Sequence, residues 1–252
     1  MYFDTHAHYN DEAFDADRSQ VLSEIRDSGV SLVVNAGNDL ETSLAAMRLA
    51  EKHDFIYAAV GWHPQDADSF DAESPELIRK WLKNPKVRAI GEIGLDYYYD
   101  NPERDVQRRV LYRQMELARE LNVPVVIHDR EAHADCLEIV RRFPEVCGEF
   151  HCYSGSAEMA KKLIDMGWYL GFTGVVTFKN ARRVIEVVEI CPVDRMLIET
   201  DCPYLAPVPV RGKRNDSRYL RHIAEKIAEI KGMAPEEIAR ITLNNGRRFF
   251  RV

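Results

Sequence analysis

The sequence predicts a (β/α)8 barrel (TIM barrel) that spans residues 1–252 as a single domain. Short apolar runs rich in Val and Ile alternate with segments of helical period along the whole chain. Eight such strand–helix units in 252 residues match the usual size of this fold. An open doubly wound sheet is the alternative. It is disfavoured because no glycine-rich turn follows the first predicted strand and because the units are too many.

The elements follow one another in regular order. The strands are predicted at Tyr2–His8, Leu32–Asn35, Ile56–Gly61, Val87–Gly94, Pro124–His128, Glu149–Cys152, Trp168–Gly171 and Met196–Thr200. Helical periodicity predicts helices at Arg18–Ser28, Leu40–His53, Pro75–Lys83, Glu103–Leu121, Ala134–Phe143, Ala157–Met166, Ala181–Ile190, Ser217–Lys231 and Pro235–Phe249. The longest irregular segment, Cys202–Asp216, follows the last strand. Long loops in compact domains are usually functional or disordered.

Composition limits the classes of protein. Hydrophobic residues make up 46% and charged residues 30%, as in ordinary globular domains. No apolar run is long enough to cross a bilayer and no secretory signal is present, so we expect no membrane partner. Five cysteines without a CxxC pair predict reduced thiols in a cytoplasmic protein. The net charge of −7 opposes nonspecific coating of nucleic acid but leaves room for a local basic groove. Nothing in the sequence indicates the oligomeric state.

The histidines are unevenly placed. His6 and His8 lie two residues apart on the first strand, so their imidazoles should face the same way, as two ligands of one metal ion would. Of eight histidines, five fall at the carboxyl ends of predicted strands: His6, His8, His63, His128 and His151. The other three, in polar helical segments, are expected to be solvated.

The carboxyl ends of the strands form the active face of such a barrel. Four imidazoles and two carboxylates are predicted to meet there, from His6, His8, Glu92, His128, His151 and Asp201. These are too many ligands for one tetrahedral ion, but they suit two divalent ions that share a carboxylate. Zn or Mn fits mixed imidazole and carboxylate ligands, and Mg fits if it keeps several waters.

The chain resembles the TatD-type metal-dependent deoxyribonucleases of the amidohydrolase superfamily. The matching stretches are Asp4-Thr-His-Ala-His8, Gly61-Trp-His-Pro64, Gly91-Glu-Ile-Gly-Leu-Asp96, Pro124-Val-Val-Ile-His128, His151-Cys-Tyr-Ser-Gly155, Glu199-Thr-Asp-Cys-Pro-Tyr204 and Arg211-Gly-Lys-Arg-Asn215. The resemblance implies that His6 and His8 with Asp201 hold one ion, that His128 and His151 hold the other, and that Glu92 bridges them. The family often has a further His where this chain has Gln65.

Other roles are open for some of these residues. Glu92 could pair with Arg88, and Asp201 could cap a following helix. His63 could be a metal ligand, but it could equally be a hydrogen-bond partner of a metal ligand or a contact to a substrate phosphate. Cys152 and Cys202 neighbour predicted ligands, but strand alternation points them away, so we expect them to pack.

Two segments indicate how a substrate could bind. Residues 208–222 hold five basic residues against one acid, and Arg211, Lys213 and Arg214 are predicted to contact phosphate groups. The alternative is a solvated basic surface. Tyr97, Tyr98 and Tyr99 follow the fourth strand and could stack on unpaired bases or pack the top of the barrel.

The sequence thus predicts hydrolysis of phosphodiester bonds by a water activated between two divalent metal ions, with Asp201 as general base. The resemblance adds single-stranded DNA as the substrate, trimmed from the 3′ end. The alternatives are an amidohydrolase that acts on an amide, lactone or ester, and a metal-binding scaffold in a nuclease complex without catalysis of its own.

Overall fold

The computed structural model describes all 252 residues. It contains eight strands: β1 Tyr2–Ala7, β2 Val30–Ala36, β3 Ile56–Val60, β4 Val87–Asp96, β5 Val125–Arg130, β6 Gly148–Phe150, β7 Tyr169–Phe172 and β8 Met196–Ile198. The α-helices are α1 Arg18–Asp27, α2 Leu40–Lys52, α3 Ser74–Trp81, α4 Arg104–Leu121, α5 His133–Val140, α6 Ala157–Asp165, α7 Arg182–Ile190, α8 Leu220–Lys231 and α9 Pro235–Phe250. None of the helices is both long and apolar enough to cross a membrane.

All eight strands belong to one sheet in chain order, and every pairing with a described register is parallel. The first and last strands also meet: the Asp201 amide donates to the His6 carbonyl at 2.9 Å, and the His8 amide donates to the Cys202 carbonyl at 2.9 Å. A helix or helical segment follows each strand. The predicted (β/α)8 barrel is therefore confirmed.

The chain divides into two compact units. One, which we call the terminal unit, comprises residues 1–35 and 152–252, and the other, the central unit, comprises residues 36–151. Each has its own buried apolar core: Phe3, Leu170 and Ile198 are fully buried in the terminal unit, and Ile90 and Ile127 in the central unit. The expectation of a single domain stays a prediction.

Local sequence explains where several helices begin and end. Asp39 caps α2 by accepting the Thr42 amide, and the Thr42 hydroxyl accepts the Asp39 amide in return, which forms a capping box. The Ser156 side chain caps α6 in a similar way. Gly232 ends α8 in the left-handed conformation that glycine adopts without strain.

Strands β4 and β5 each end two residues later than the sequence indicates. Their pairing continues through Gly94–His128 and Leu95–Asp129 to Asp96–Arg130. The polar end of β5 resembles a loop in sequence, but the pairing with β4 keeps it extended. This extension places Asp96 and Arg130 side by side where the two strands end.

The start of α8 and the end of β8 also differ from the prediction. Residues Ser217–Tyr219 form a 3-10 turn before α8, because Asp216 caps this turn by accepting the Arg218 amide. β8 ends at Ile198, and the Thr200 amide donates to the buried Asp4 carboxylate instead of a strand. The end of β8 is thus decided by Asp4, which lies far away in sequence, and the start of α8 by the neighbouring residue Asp216.

Gly94 lies where β4 and β5 approach most closely. Its φ is +155°, and a Cβ atom at this position would lie 1.9 Å from the His128 carbonyl oxygen. We expect Gly94→Ala to lower the free energy of unfolding by roughly 2 to 5 kcal/mol, because backbone strain and overpacking add. Urea unfolding followed by circular dichroism measures this loss.

Gly167→Ala is the matched control, since Gly167 also has a positive φ (+85°) but no atom within 4 Å of the point where the alanine methyl group would lie. It should cost only the strain, about 1 to 2 kcal/mol. Equal losses in the two variants would contradict the close approach of β4 and β5.

Candidate metal centre

The first ligand group lies in the terminal unit at the ends of β1 and β8. The Nε2 atoms of His6 and His8 are 3.0 Å apart, so the two imidazoles converge as the two-residue spacing predicts. Asp201 Oδ1 lies 3.7 Å from the Nε2 atom of His6 and 3.4 Å from that of His8. Both rings are buried. Two imidazole nitrogens and one carboxylate oxygen at these separations could hold a divalent ion.

The second ligand group lies in the central unit around Glu92. Its Oε1 atom is 2.8 Å from His128 Nδ1 and 2.8 Å from His151 Nε2. His63 Nε2 is 3.7 Å from the same oxygen. A buried carboxylate oxygen thus has imidazole nitrogens from three strand ends around it. Arg88 lies instead near the Tyr57 ring, 5.4 Å from its centroid, which argues against the alternative Arg88–Glu92 pair.

Asp96 belongs to the same group, although no ligand or positioning role is predicted for it from the sequence. Its Oδ2 atom lies 3.1 Å from His128 Nε2, and its Oδ1 atom accepts the Tyr98 and Tyr99 amides. Burial raises the pKa of Asp96, but the hydrogen bonds from His128 and from the Tyr99 and Tyr98 amides outweigh burial, and the net pKa is lowered. The same-face spacing of Glu92, Gly94 and Asp96 on β4 was the signal available in the sequence.

His128 is held from both sides. Burial lowers the pKa of its imidazole, but hydrogen bonds with Asp96 and Glu92 outweigh burial and raise it overall. One ring nitrogen faces Glu92 and the other faces Asp96. A ring fixed in this way has little freedom to turn, which is how outer carboxylates orient metal-binding histidines.

His63 has a different environment. Its Nδ1 atom accepts the Gln65 amide at 3.2 Å, so Nε2, which faces Glu92, carries the proton of the neutral ring. Burial, with the nearby His128, lowers the pKa of His63 to about 3 and keeps the ring uncharged. This arrangement suits donation of a hydrogen bond to an anionic oxygen. Gln65 contacts His63 through its backbone, and its side chain is exposed.

Two further buried carboxylates support the terminal-unit ligands, and neither was predicted. Asp4 accepts hydrogen bonds from the Thr200 amide at 2.9 Å, from the Thr200 hydroxyl at 2.6 Å and from the Ser217 hydroxyl at 2.6 Å. Burial raises the pKa of Asp4 to about 7, although these hydrogen bonds oppose the shift. Glu199 accepts the Cys152 amide at 2.5 Å. Together they fix the backbone next to Asp201 and the backbone that follows β6.

Comparison with known proteins identifies the family. The model of the family described as TatD related DNase matches residues 3–251. The chain belongs to the TatD family. A Bacillus subtilis (strain 168) protein named as the uncharacterized metal-dependent hydrolase YabD is 47% identical over 254 residues, with all of both chains covered. The protein is therefore a metal-dependent hydrolase.

Two further relatives cover nearly the whole TatD-family chain. The Pantoea vagans (strain C9-1) protein named 3′-5′ ssDNA/RNA exonuclease TatD is 34% identical over 260 residues, with 99% of each chain covered. The crystal structure of YjjV, a TatD homologue from Escherichia coli K12, superposes with a TM-score of 0.93 at 29% identity, covering 100% of this chain and 98% of that one. The fold and the family agree.

The five basic residues between positions 208 and 222 of this TatD-family protein are only partly available to a ligand. Arg214 forms a bidentate ion pair with Asp17 at 2.9 and 2.7 Å, and Arg218 pairs with Asp216 and Glu24. Arg211 and Lys213 are exposed and form no ion pair. Of the three residues predicted to bind phosphate, Arg214 is already paired with Asp17, which lies far away in sequence. Arg211 and Lys213 remain available.

Arg211 and Lys213 line an open cavity of about 320 Å³ in the terminal unit. Phe178 and Tyr204 form part of its wall, and the Arg211 guanidinium lies 4.0 Å from the centroid of the Phe178 ring. The cavity adjoins the loop that follows Asp201.

Asp201 itself does not cap a helix, since Asp216 caps the turn that precedes α8.

The three consecutive tyrosines separate into two kinds. Tyr97 is half-buried, and its hydroxyl donates to Asp135 at 2.6 Å, whereas Tyr98 and Tyr99 are exposed. Tyr97 thus packs against its neighbours, whereas stacking of Tyr98 and Tyr99 on unpaired bases stays a prediction. Cys202 is fully buried and the Cys152 sulfur lies 3.5 Å from the Thr173 hydroxyl, so both cysteines pack outside the ligand groups.

The depressed pKa of His63 predicts a pH-dependent stability of the metal-free protein. Between pH 6.5 and about 3 the unfolded chain holds a proton on this residue that the folded chain lacks. The free energy of unfolding should therefore fall as the pH drops, by up to about 1.4 kcal/mol per pH unit from this group. Urea unfolding from pH 6.5 to 4.5 in a chelator measures the slope.

His63→Leu should flatten this slope, and His222→Leu, at a partly buried position on α8 outside both ligand groups, serves as the control for loss of a histidine. If His63→Leu and wild type lose stability in parallel as the pH falls, the prediction that His63 stays uncharged in the folded protein is wrong.

Proposed function

We propose that this TatD-family hydrolase cleaves phosphodiester bonds at the 3′ end of single-stranded DNA with two divalent metal ions. The observation that carries the proposal is the Glu92 carboxylate, with His128 and His151 each 2.8 Å from one of its oxygens. One oxygen of this carboxylate could share an ion with the two imidazoles, and its other oxygen could bind a second ion. The name of the Pantoea vagans relative, a 3′-5′ exonuclease, supports the substrate class.

We propose that the two ligand groups form one binuclear centre. All the proposed ligands lie at or just beyond the carboxyl ends of strands, and in a (β/α)8 barrel these ends open onto one face. His6, His8 and Asp201 would hold one ion, His128 and His151 the other, and Glu92 would bridge them. The donor set fits Zn, Mn or Mg, all of which accept imidazole or carboxylate ligands. Bound ions would lower the pKa of a water and neutralise charge on the phosphoryl oxygens.

The protein's own groups have separate tasks in this proposal. Asp201 orients the attacking water and accepts its proton as general base. His63, neutral and with its Nε2 proton facing the site, donates a hydrogen bond to a phosphoryl oxygen. Arg211 and Lys213 bind phosphates outside the scissile bond. A strand end enters an open barrel face more readily than an intact duplex does.

A cytoplasmic location completes the proposal. Cys136, Cys191 and Cys202 are buried, and burial raises the pKa of the Cys191 thiol to about 12. Buried thiols of low reactivity suit a protein of a reducing compartment.

The experiment that tests the function measures hydrolysis of three substrates, first by metal-stripped protein and then after metal is added back. The substrates are a bis-aryl phosphodiester, a lactone, and end-labelled DNA in single-stranded and duplex form. We expect metal-dependent hydrolysis of the phosphodiester and of the single strand. Asp201→Asn, purified in the same way, excludes contaminating nucleases and should lose at least about 100-fold in turnover. Hydrolysis of the lactone alone would favour an amidohydrolase, and no hydrolysis at all would favour a scaffold.

Glu92→Gln tests the bridge between the ions. The amide keeps the shape of the side chain but removes the charge that two cations would share. We expect the variant to fold, to bind fewer than two equivalents of metal, and to lose at least about 100-fold in phosphodiester turnover. Elemental analysis after gel filtration counts the metal, and circular dichroism checks the fold. Two full equivalents with near-normal turnover would remove Glu92 from the centre.

Arg211→Ala/Lys213→Ala tests the phosphate contacts. If both cations bind phosphates, the variant should bind a single-stranded oligonucleotide more weakly, and its log–log salt slope should fall by about 1.4, or about 0.7 per contact. Fluorescence anisotropy at several salt concentrations gives the slope. Arg247→Ala/Arg248→Ala, which removes two exposed cations from α9, is the matched control. Equal slopes in the two double variants would mean that residues 211 and 213 are only a solvated surface.

A further inference from the structure

An exposed aromatic pair lies at the turn after β4. Tyr98 and Tyr99 are 61% and 58% exposed, and their rings meet edge to face with centroids 5.1 Å apart. The Arg130 guanidinium lies 3.9 Å from the Tyr98 ring centroid and 5.1 Å from that of Tyr99. We call these three residues the tyrosine platform. Two large rings left in water cost solvation free energy that the fold does not recover.

Hydrogen bonds hold the turn that carries the tyrosine platform. The amides of Tyr98 and Tyr99 both donate to Asp96 Oδ1, at 3.0 and 3.1 Å. The preceding ring, Tyr97, is held by its hydrogen bond to Asp135 and by Arg104, which lies 4.2 Å from its centroid. Arg130 comes from the adjacent strand, in register with Asp96. The backbone that carries the exposed rings is therefore held in place, which lowers the entropic cost of binding a ligand there.

The tyrosine platform is joined directly to the candidate metal centre. The same Asp96 that accepts the two tyrosine amides contacts His128 Nε2 through its other oxygen, at 3.1 Å. His128 in turn contacts Glu92. Tyr98 and Tyr99 thus follow, at the same strand end and by two and three residues, a side chain that contacts a proposed metal ligand.

The chemistry of the platform selects a flat, electron-rich ligand. Aromatic faces stack on planar π systems, and a guanidinium beside them adds cation–π attraction. Unpaired nucleobases have this shape whatever their identity. An acidic or aliphatic partner would gain little from two tyrosines, because the platform offers one cation and no aliphatic groove.

We propose that the tyrosine platform stacks an unpaired nucleobase of the substrate strand. The proposal rests on the proposed function and deepens it, because it names the group that recognises single strands. A paired base keeps its faces covered within the duplex, so only an unpaired base can reach the platform. Stacking of one base on an aromatic side chain is worth roughly 5- to 150-fold in affinity.

The test is a cycle between ring and base in the metal-loaded protein. Binding is measured by anisotropy for a single-stranded oligonucleotide and for one whose last four 3′ nucleotides are abasic, both made with hydrolysis-resistant phosphorothioate linkages at the 3′ end. Tyr98→Ala/Tyr99→Ala should weaken binding of the ordinary strand roughly 5- to 150-fold and leave binding of the abasic strand as it is in wild type. Tyr98→Phe/Tyr99→Phe, which keeps the rings, should bind both strands like wild type.

Tyr57→Ala is the matched control, because Tyr57 also has cations beside its ring, Lys86 at 4.7 Å and Arg88 at 5.4 Å, but lies near the start of β3. It should bind the ordinary strand like wild type. The proposal is overturned if the alanine pair binds the ordinary strand like wild type, as a protein-docking patch would, or if it weakens both strands equally. Retained phosphodiester hydrolysis by wild type in either case separates this failure from failure of the proposed function.

Discussion

The Glu92 carboxylate is buried inside the central unit, and the residues around it supply polar partners for its oxygens. An isolated carboxylate removed from water is costly unless it is paired. Here His128 and His151 lie 2.8 Å from one oxygen, and Asp96 orients His128 from its far side. This requirement explains the length of β4 and β5, since both strands must continue to bring Asp96 to His128. It also explains Gly94, which lets the two strands approach closely.

Most of the fold could be predicted because its signals are local. Apolar runs and helical periods placed every strand and every α-helix within a few residues of its observed position. The differences arise where a side-chain hydrogen bond, and not the apolar or helical pattern, decides the boundary. Thr200 leaves β8 because its amide meets Asp4, and α8 starts late because Asp216 caps the turn before it. No periodicity within residues 196–220 carries that information.

The site could be predicted in part, for a similar reason. The spacing of His6 and His8 on one strand predicts their convergence, which depends only on strand geometry. Asp96 was missed because its contact with His128 depends on pairing beyond the predicted end of β4. The engagement of Arg214 by Asp17 joins residues far apart in sequence, and charge counting along a segment cannot detect it. Local patterns therefore reveal ligands on strands better than they reveal the groups that position them.

The ion pairs of Arg214 and Arg218 have a consequence for the binding of the proposed substrate strand. They neutralise two of the five basic residues in residues 208–222, and the whole chain carries a net charge of −7. With Arg214 and Arg218 paired to acids, this segment could contact only a few phosphates of the proposed substrate strand at one time. Under the proposed function, so few charge contacts would favour release of the strand after one or a few cuts, so that many strands would be shortened together.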